Sequence, residues 1–531
     1  MPIGLALSGG GFRATLFHLG VVRLLNETGQ LSQVKRIGAV SGGSILAAHL
    51  VLHWEQYAGS KNDFDKAAQE IIQFVQKDIR GRVIRRWIFA WLCLALPRLL
   101  MPRHWTRTNL LQKQYGRLYK DKTLKDLRAS HRPQVYFYST SLTTGVRCSF
   151  GRSGFRWHDK HDNCLERSIA APSTPIAFAV AASSAFPPLF PPIEISNETL
   201  FSNKDTFPNP HYLTDGGVYD NLGIDRLIWF QESKPELDLF IASDAQGNFD
   251  SEFDTRFTFI VGRNVRASDL LMTRVSSIQI ERLAAPSQTP PFVRVGIKME
   301  IDNPGDPTLL PPESQRSLPC TRTDLDKFSP TEITALIAHG YSCARKALIE
   351  KNLLTESAPP FSWDPLRNWQ IVKSGNATRQ LHQSSIRRWR LWSFRDWTSY
   401  ALFGLVLVYL IGVGYWTYSP FKAKQQVIRE VSVPRLLTID KEVTIPLDFR
   451  NVYQTMSLTS FDRINRINVT FRNMKDDQDA ELYWIDFAGS EKWITTIRSG
   501  GSATVERFVG QLWEAKTRSG DSLGSYVVEG S

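Results

Sequence analysis

The chain has 531 residues, 42% hydrophobic, 22% charged and 11% aromatic, which excludes a disordered, collagenous or low-complexity protein and gives room for about three domains. A mean hydropathy of -0.24 excludes a polytopic membrane protein but not a single span, and five scattered cysteines without a CxxC pair exclude a disulfide framework or a cysteine-rich zinc site. The net charge of +12 is concentrated between Lys77 and Arg128, where fourteen basic residues face three aspartates for a net +11, so global basicity is no argument for nucleic acid and none is expected as a partner.

Ile3–Leu7 reads as a buried strand, followed by a glycine-rich turn and a helix from about Phe12 to Asn26 with an apolar stripe of Phe17, Val21, Leu24 and Leu25. The stretch is too short for a secretory signal. A second strand, Val34–Val40, runs into another sharp glycine turn and a helix over Ile45–Tyr57. Further strands are expected at Gln134–Tyr138, Tyr212–Thr214, Leu237–Ala242 and Phe292–Ile301, with helices at Ile176–Ser184, Ile224–Glu232 and Glu332–Lys351. Strands alternating with helices indicate an α/β fold with a parallel sheet.

Within the basic segment, Trp87–Leu96 is apolar, too short to span a bilayer, and flanked by arginines. It reads as an element lying in the lipid interface, and the segment 77–128 as a surface for anionic lipid. Beyond Leu354 a polar, proline-bearing stretch and a basic aromatic run lead to Trp397–Tyr418, 22 residues without a charge and with aromatics at both ends. That pattern predicts one transmembrane helix. The catalytic part is expected on the cytoplasmic side and the C-terminal part on the opposite side. Strand patterns at Val443–Phe449, Ile467–Phe471, Ala480–Phe487, Trp493–Ile497 and Ser525–Val528 predict a small all-β sandwich.

Two glycine turns carry the chemistry. Ser8-Gly9-Gly10-Gly11-Phe12-Arg13-Ala14 opens the first helix, and its amides can serve an oxyanion. Gly38-Ala39-Val40-Ser41-Gly42-Gly43 places a serine at a tight strand-to-helix turn, with its hydroxyl pushed out of the backbone near a helix N-terminus. No downstream histidine (His158, His161, His211, His339) makes a compelling base. The short strand ending in Asp215-Gly216-Gly217 would instead bring a carboxylate to the sheet's C-terminal edge, where it can take the serine proton directly.

Gly9–Ala14, Ser41 and Asp215, in this order, resemble the patatin-like phospholipase family over roughly residues 1–350. Ser183–Pro192 is similar to that family's proline-bearing block, and Asp220-Asn221-Leu222-Gly223 continues its Asp-Gly-Gly signature. The resemblance implies a lipid acyl hydrolase of the phospholipase A or lysophospholipase type. Ser41 would be nucleophile, Asp215 general base, and the Gly9, Gly10 and Gly11 amides the oxyanion hole. Arg13, Gly43, Gly216 and Gly217 would be accessory, and no metal or cofactor is required. Ala39 departs from the glycine that usually begins the family's serine motif.

Asn473, Glu481–Gly489 and Gly510–Trp513 resemble the β-domain of the von Hippel–Lindau tumour suppressor, which implies a peptide- or protein-binding module. Trp513 matches an aromatic of that family's ligand pocket, whereas Gln511 and Arg507 stand where a histidine and a serine are expected. The expected organisation is an acyl hydrolase domain at 1–355, a basic linker at 356–396, a transmembrane helix at 397–418 and a β-sandwich at 419–531. The alternative is a transmembrane ligand-binding or sensor protein whose patatin domain is inactive or conditionally active.

Overall fold

A computed structural model describes the chain apart from residues 95–105, 159–165, 201–210, 234–235, 249–259, 285–289, 304–305, 356–357, 387–391, 395, 432–441, 445–465, 474–476, 487–488, 509–510 and 528–531. It forms two compact units, Met1–Ile411 and Gly412–Ser531.

Every residue of β1 (Ile3–Leu7) is buried, the condition of a strand covered on both faces. It leads into α1 (Gly11–Glu27), then β2 (Val34–Ala39), α2 (Gly42–Leu52), the short α3 (Trp54–Tyr57), α4 (Lys61–Val75), α5 (Ile79–Leu94) and α6 (Arg107–Tyr119). Next come β3 (Gln134–Ser141), β4 (Arg147–Gly151), β5 (Gly154–His158), β6 (Glu166–Ala170), α7 (Ile176–Ser183), β7 (Ile193–Ile195) and β8 (His211–Asp215). The unit continues through α8 (Gly217–Asp220), α9 (Asp225–Ser233), β9 (Leu239–Asp244), α10 (Ile260–Leu283) and β10 (Phe292–Gly296). Helices α11 (Pro312–Ser317), α12 (Pro330–Glu350), α13 (Trp369–Val372) and α14 (Gly375–His382) precede α15 (Trp397–Val431).

One sheet runs in the order β10-β9-β1-β2-β3-β4-β5-β6, with β7 and β8 attached through β8 to β3. From β10 to β3 it is parallel, as the alternation of strands and helices implies. The expected parallel sheet ends at β3, beyond which β4, β5, β6, β8 and β7 pair antiparallel. Only Arg152 and Ser153 join β4 to β5, and parallel pairing needs a crossover of about a dozen residues or more. On one side of the parallel half α1 packs against α12. A methyl at Gly20 would strike the Ile337 carbonyl and one at Gly340 the Phe17 carbonyl, so the pair of glycines sets how closely the helices approach.

The basic segment is less exposed than its charge suggests. Arg80 is buried in an ion pair with Asp324, and Arg85 binds Asp78 at 3.0 Å and Asp396 at 2.8 Å. Those two arginines therefore brace the fold instead of facing lipid, because a buried guanidinium needs a carboxylate partner. Lys113, Arg117, Lys120, Lys122, Lys125 and Arg128 are exposed. The apolar patch expected at Trp87–Leu96 continues α5; Trp87 lies against the main core under the Arg107 guanidinium, 5.2 Å from the ring centre. The patch beyond Leu94 lies outside the described residues.

The predicted span falls on α15, whose Phe403, Val408, Tyr409, Leu410 and Ile411 are exposed. Its side chains are described without a break only over residues 397–413, and among the described residues no helix is long and apolar enough to cross a membrane.

The second unit holds β11 (Glu442–Thr444), β12 (Arg466–Arg472), β13 (Ala480–Ile485), β14 (Glu491–Ile497), β15 (Ser502–Phe508), β16 (Leu512–Lys516) and β17 (Ser522–Val527). They form two sheets, β11-β12-β15 and β14-β13-β16-β17, mostly antiparallel. Phe471 of one sheet meets Trp513 of the other at 5.4 Å between ring centres, amid Val469, Leu482 and Ile497. Trp513, matched to an aromatic of the von Hippel–Lindau ligand pocket, is fully buried in this core.

Candidate active site

The sheet itself brings Ser41 and Asp215 together. Strand β2 pairs with the first half of β3, ending with Ala39 opposite Phe137, and then the chain turns away at Ser41. Strand β8 takes up the vacated edge of β3, with Asp215 opposite Ser139. Ser139 lies two positions beyond Phe137 on β3, so Asp215 occupies the position that residue 41 would have held had β2 run on. The serine turn and the carboxylate are thus neighbours by register.

Ser41 has φ 49° and ψ -115°, a left-handed conformation uncommon for a residue with a side chain and typical of a strained nucleophile turn. Its backbone N–H donates to Ser183 Oγ at 3.0 Å, and Ser183 Oγ lies 2.8 Å from Ser44 Oγ. The turn is possible because a β-carbon at Gly42 would collide with the Gly11 carbonyl and one at Gly43 with the Leu7 carbonyl. The Ala39 methyl, the departure noted in the motif, is accommodated in the core at the end of β2.

Asp215 is 2% exposed. Its Oδ1 accepts the Gly217 N–H at 2.7 Å, whereas Oδ2 is buried without a hydrogen bond of ordinary geometry. Burial raises its pKa to about 7; the Gly217 amide and the Ser41 hydroxyl pull it down by less. The Ser41 hydroxyl is thus among the groups near the carboxyl that favour its ionised form. A carboxylate poised near neutrality suits a general base.

Residues of the proline-bearing block tie the two halves together, a role the sequence did not reveal. Ala185 O accepts the Asp215 N–H at 3.2 Å and the Thr214 hydroxyl at 2.8 Å, while Ser183 reaches Ser41. Asn221 was quoted in the motif without a role; its carbonyl accepts the Gly9 N–H at 3.1 Å. That bond corrects the expected oxyanion hole, because the Gly9 amide is engaged inside the fold. The Gly10 and Gly11 amides have no such partner among the described residues, and both glycines have positive φ, 142° and 58°. A β-carbon at Gly11 would lie 2.6 Å from the Asp324 carbonyl.

Arg13 is 6% exposed and donates to the carbonyls of Ala245 and Pro319, both at 3.2 Å, and of Thr321 at 2.5 Å. It straps distant loops beneath the glycine turn. Gly216 packs where a methyl would meet the Tyr138 carbonyl at 2.5 Å, and Gly217 supplies the amide to Asp215. Asp220 secures the rest of this turn, accepting from Gly223 N and Asp225 N at 2.9 Å each. Helix α10, which the sequence pattern missed, lies over the turn, with Gln279 donating to Asp220 at 3.1 Å.

The buried histidines are occupied elsewhere. His18 bridges Ser243 Oγ at 2.6 Å and Ser8 O at 2.9 Å, and His339 Nε2 lies 2.8 Å from Ile297 O. Burial lowers both pKa values to about 4, so both rings are neutral. His161 lies outside the described residues. Among the described residues one group has the side chains of a metal site, His49, His53 and Glu70, and it belongs to α2, its C-terminal end and α4.

Residues 5–228 match the family model for patatin-like phospholipase, and this stretch holds the glycine loop, Ser41 and Asp215. The N-terminal part of the chain is thus similar to patatin-like phospholipases. Among solved structures it is similar to human GIVD cytosolic phospholipase A2, with 12% identity and a TM-score of 0.40 over 72% of this chain and 63% of that one. It is also similar to VipD from Legionella pneumophila, with 14% identity and a TM-score of 0.31 over 66% of each chain. The chain thus spans a little under two thirds of the human protein. No curated protein matches it in sequence.

Proposed function

We propose that the protein is a membrane-anchored lipid acyl hydrolase of the phospholipase A or lysophospholipase type. Ser41 Oγ attacks the ester carbonyl carbon as Asp215 Oδ2 takes its proton, and the carbonyl electrons collect on an oxyanion facing the Gly10 and Gly11 amides. Collapse expels the alcohol, which recovers the proton from Asp215. Water, activated by the same carboxylate, then releases the fatty acid and restores Ser41. The observation that carries this reading is Asp215, a buried carboxyl raised to about 7, set by strand register beside the Ser41 turn.

Lipid as substrate is supported by the family of residues 5–228 and by helix α10, which exposes Leu270, Leu271, Val275 and Ile278 beside the Asp215 turn. The exposed lysines and arginines of 113–128 suit an anionic bilayer. The uncharged run Trp397–Tyr418 is the anchor, with the catalytic unit on the cytoplasmic side. The β-sandwich is assigned to a peptide or protein ligand.

The test is fatty-acid release from mixed phospholipid vesicles by the full chain, with covalent labelling by a lipid fluorophosphonate. Release and labelling should both vanish in Ser41→Ala with the fold retained. A Ser41→Ala protein that still hydrolyses lipid would defeat the assignment. Resistance of the chain to alkaline extraction from membranes checks the anchor, and a freely extracted chain would remove it.

A further inference from the structure

His49, His53 and Glu70 form a cluster that the proposed hydrolysis does not use. His49 is in the last turn of α2, His53 follows four residues later at its C-terminal end, and Glu70 reaches over from α4. A spacing of four puts both imidazoles on one side of the helix. His49 Nε2 lies 3.3 Å and His53 Nε2 3.9 Å from the same oxygen, Glu70 Oε2, and the three ligand atoms fall within 4.8 Å of one another. Around tetrahedral zinc, with ligands at about 2.0–2.2 Å, neighbouring donor atoms stand about 3.3–3.5 Å apart. One pair already has that separation; rotation of the half-exposed Glu70 and His53 side chains brings in the third.

The surroundings are those of a ligand set. Tyr57 Oη is 3.0 Å from His49 Nδ1 and can accept its proton, which leaves Nε2 as the donor toward the cluster. Lys120 Nζ sits 3.2 Å from the other Glu70 oxygen, Oε1. Its charge opposes a second cation, but its side chain is 62% exposed and free to swing into water.

We propose that His49, His53 and Glu70 bind a zinc ion, with water as the fourth ligand, which fastens the C-terminal end of α2 to α4. The nucleophile Ser41 caps the other end of α2, so the ion anchors the helix that carries the serine turn. The ion takes no part in hydrolysis, and the site stands whether or not the chain hydrolyses lipid.

The experiment is zinc binding to the purified full chain in detergent, stripped of metal and titrated with zinc chloride. Bound zinc is measured after desalting, Tm with and without zinc, and the visible spectrum with cobalt in its place. The wild type should retain about one equivalent, melt higher with zinc, and give the strong visible bands of tetrahedral cobalt. His53→Ala and Glu70→Gln should each weaken binding at least about tenfold while keeping the metal-free Tm, since both side chains are partly exposed. Lys120→Ala should tighten binding. Two results overturn the site. One is a wild type that keeps no zinc and shows no shift in Tm, which leaves the cluster a hydrogen-bonded network. The other is zinc bound equally by the wild type and both variants, which places the ion elsewhere.

Discussion

Asp215→Asn should abolish hydrolysis and, above neutral pH, make the fold more stable. In the unfolded chain this carboxyl ionises near its ordinary pKa of 3.8, whereas burial raises it to about 7 in the folded protein, against the smaller pull of the Gly217 amide and Ser41. Between those values the folded state holds a proton that the unfolded state has lost. Stability from this group is therefore fully present below about pH 4, falls as pH rises, and is lost above about pH 7. About three pH units at 1.36 kcal/mol each correspond to a penalty on the order of 4 kcal/mol at pH 8.5, shrinking to about 1 kcal/mol at pH 4.5. Asparagine carries no charge, and its Oδ1 still accepts the Gly217 N–H. Denaturant unfolding of wild type and variant at both pH values measures the difference, and the wild-type pH profile of kcat/KM should show an acid limb near pH 7. An offset between the two proteins that is equal at pH 4.5 and pH 8.5 would refute a carboxyl perturbed by burial.

Ser183→Ala removes the acceptor of the Ser41 N–H, so kcat should fall about 10- to 100-fold, the equivalent of about 1–3 kcal/mol, with KM little changed in the vesicle assay. Gly42→Ala drives a methyl into the Gly11 carbonyl and should displace both the serine turn and the amides facing it; fluorophosphonate labelling should be lost even where the protein remains folded. Arg85→Ala leaves Asp396 buried beside Asp78 without its guanidinium, and denaturant unfolding should show a loss of about 3–5 kcal/mol. Arg85 helps to lower the Asp396 pKa against the opposing effect of burial. The stabilisation from that pair is present above about pH 4 and disappears as pH falls through the folded pKa, so wild type and variant should converge in acid.

The start of the parallel core was legible because β1 is a continuous apolar run and both β1 and β2 lead into glycine turns. Ile3–Leu7 was read to the residue, and Val34–Val40 ended one residue beyond the observed strand. Of the antiparallel half β8 was read, as Tyr212–Thr214, but β5 and β6 were not, since they contain Arg156, His158, Glu166 and Arg167 and show little apolar pattern. Helix α10 escaped notice for a related reason: Leu270, Leu271, Val275 and Ile278 are exposed, so its apolar residues do not mark a buried stripe. Among site residues, Ser41 and Asp215 were found through the glycines beside them. Ser183 and Asn221 act through a hydroxyl and a backbone carbonyl whose targets lie more than a hundred residues away, and no local spacing records that. The arginines misled in the opposite direction. Charge density alone assigned Arg80 and Arg85 to a lipid surface, while their partners Asp324 and Asp396 lie far along the chain.

The nearness of Ser41 and Asp215 follows from a change of strand direction rather than from a loop that happens to close. On the β2 side of β3, the first half of that strand pairs with β2 running parallel and its last residues pair with β8 running antiparallel, so two strand ends meet head to head on one edge. A parallel strand of an α/β sheet presents its functional residue at its C-terminal end. Because β8 runs the other way, its own C-terminal residue, Asp215, arrives at that same end of β2. The distance between nucleophile and carboxyl is then set by hydrogen-bonded register, with Ser183 and Ala185 as a second brace on the same two residues. In the proposed reaction Asp215 is already placed beside Ser41 by the sheet, so no imidazole is needed to span a gap between serine and carboxylate.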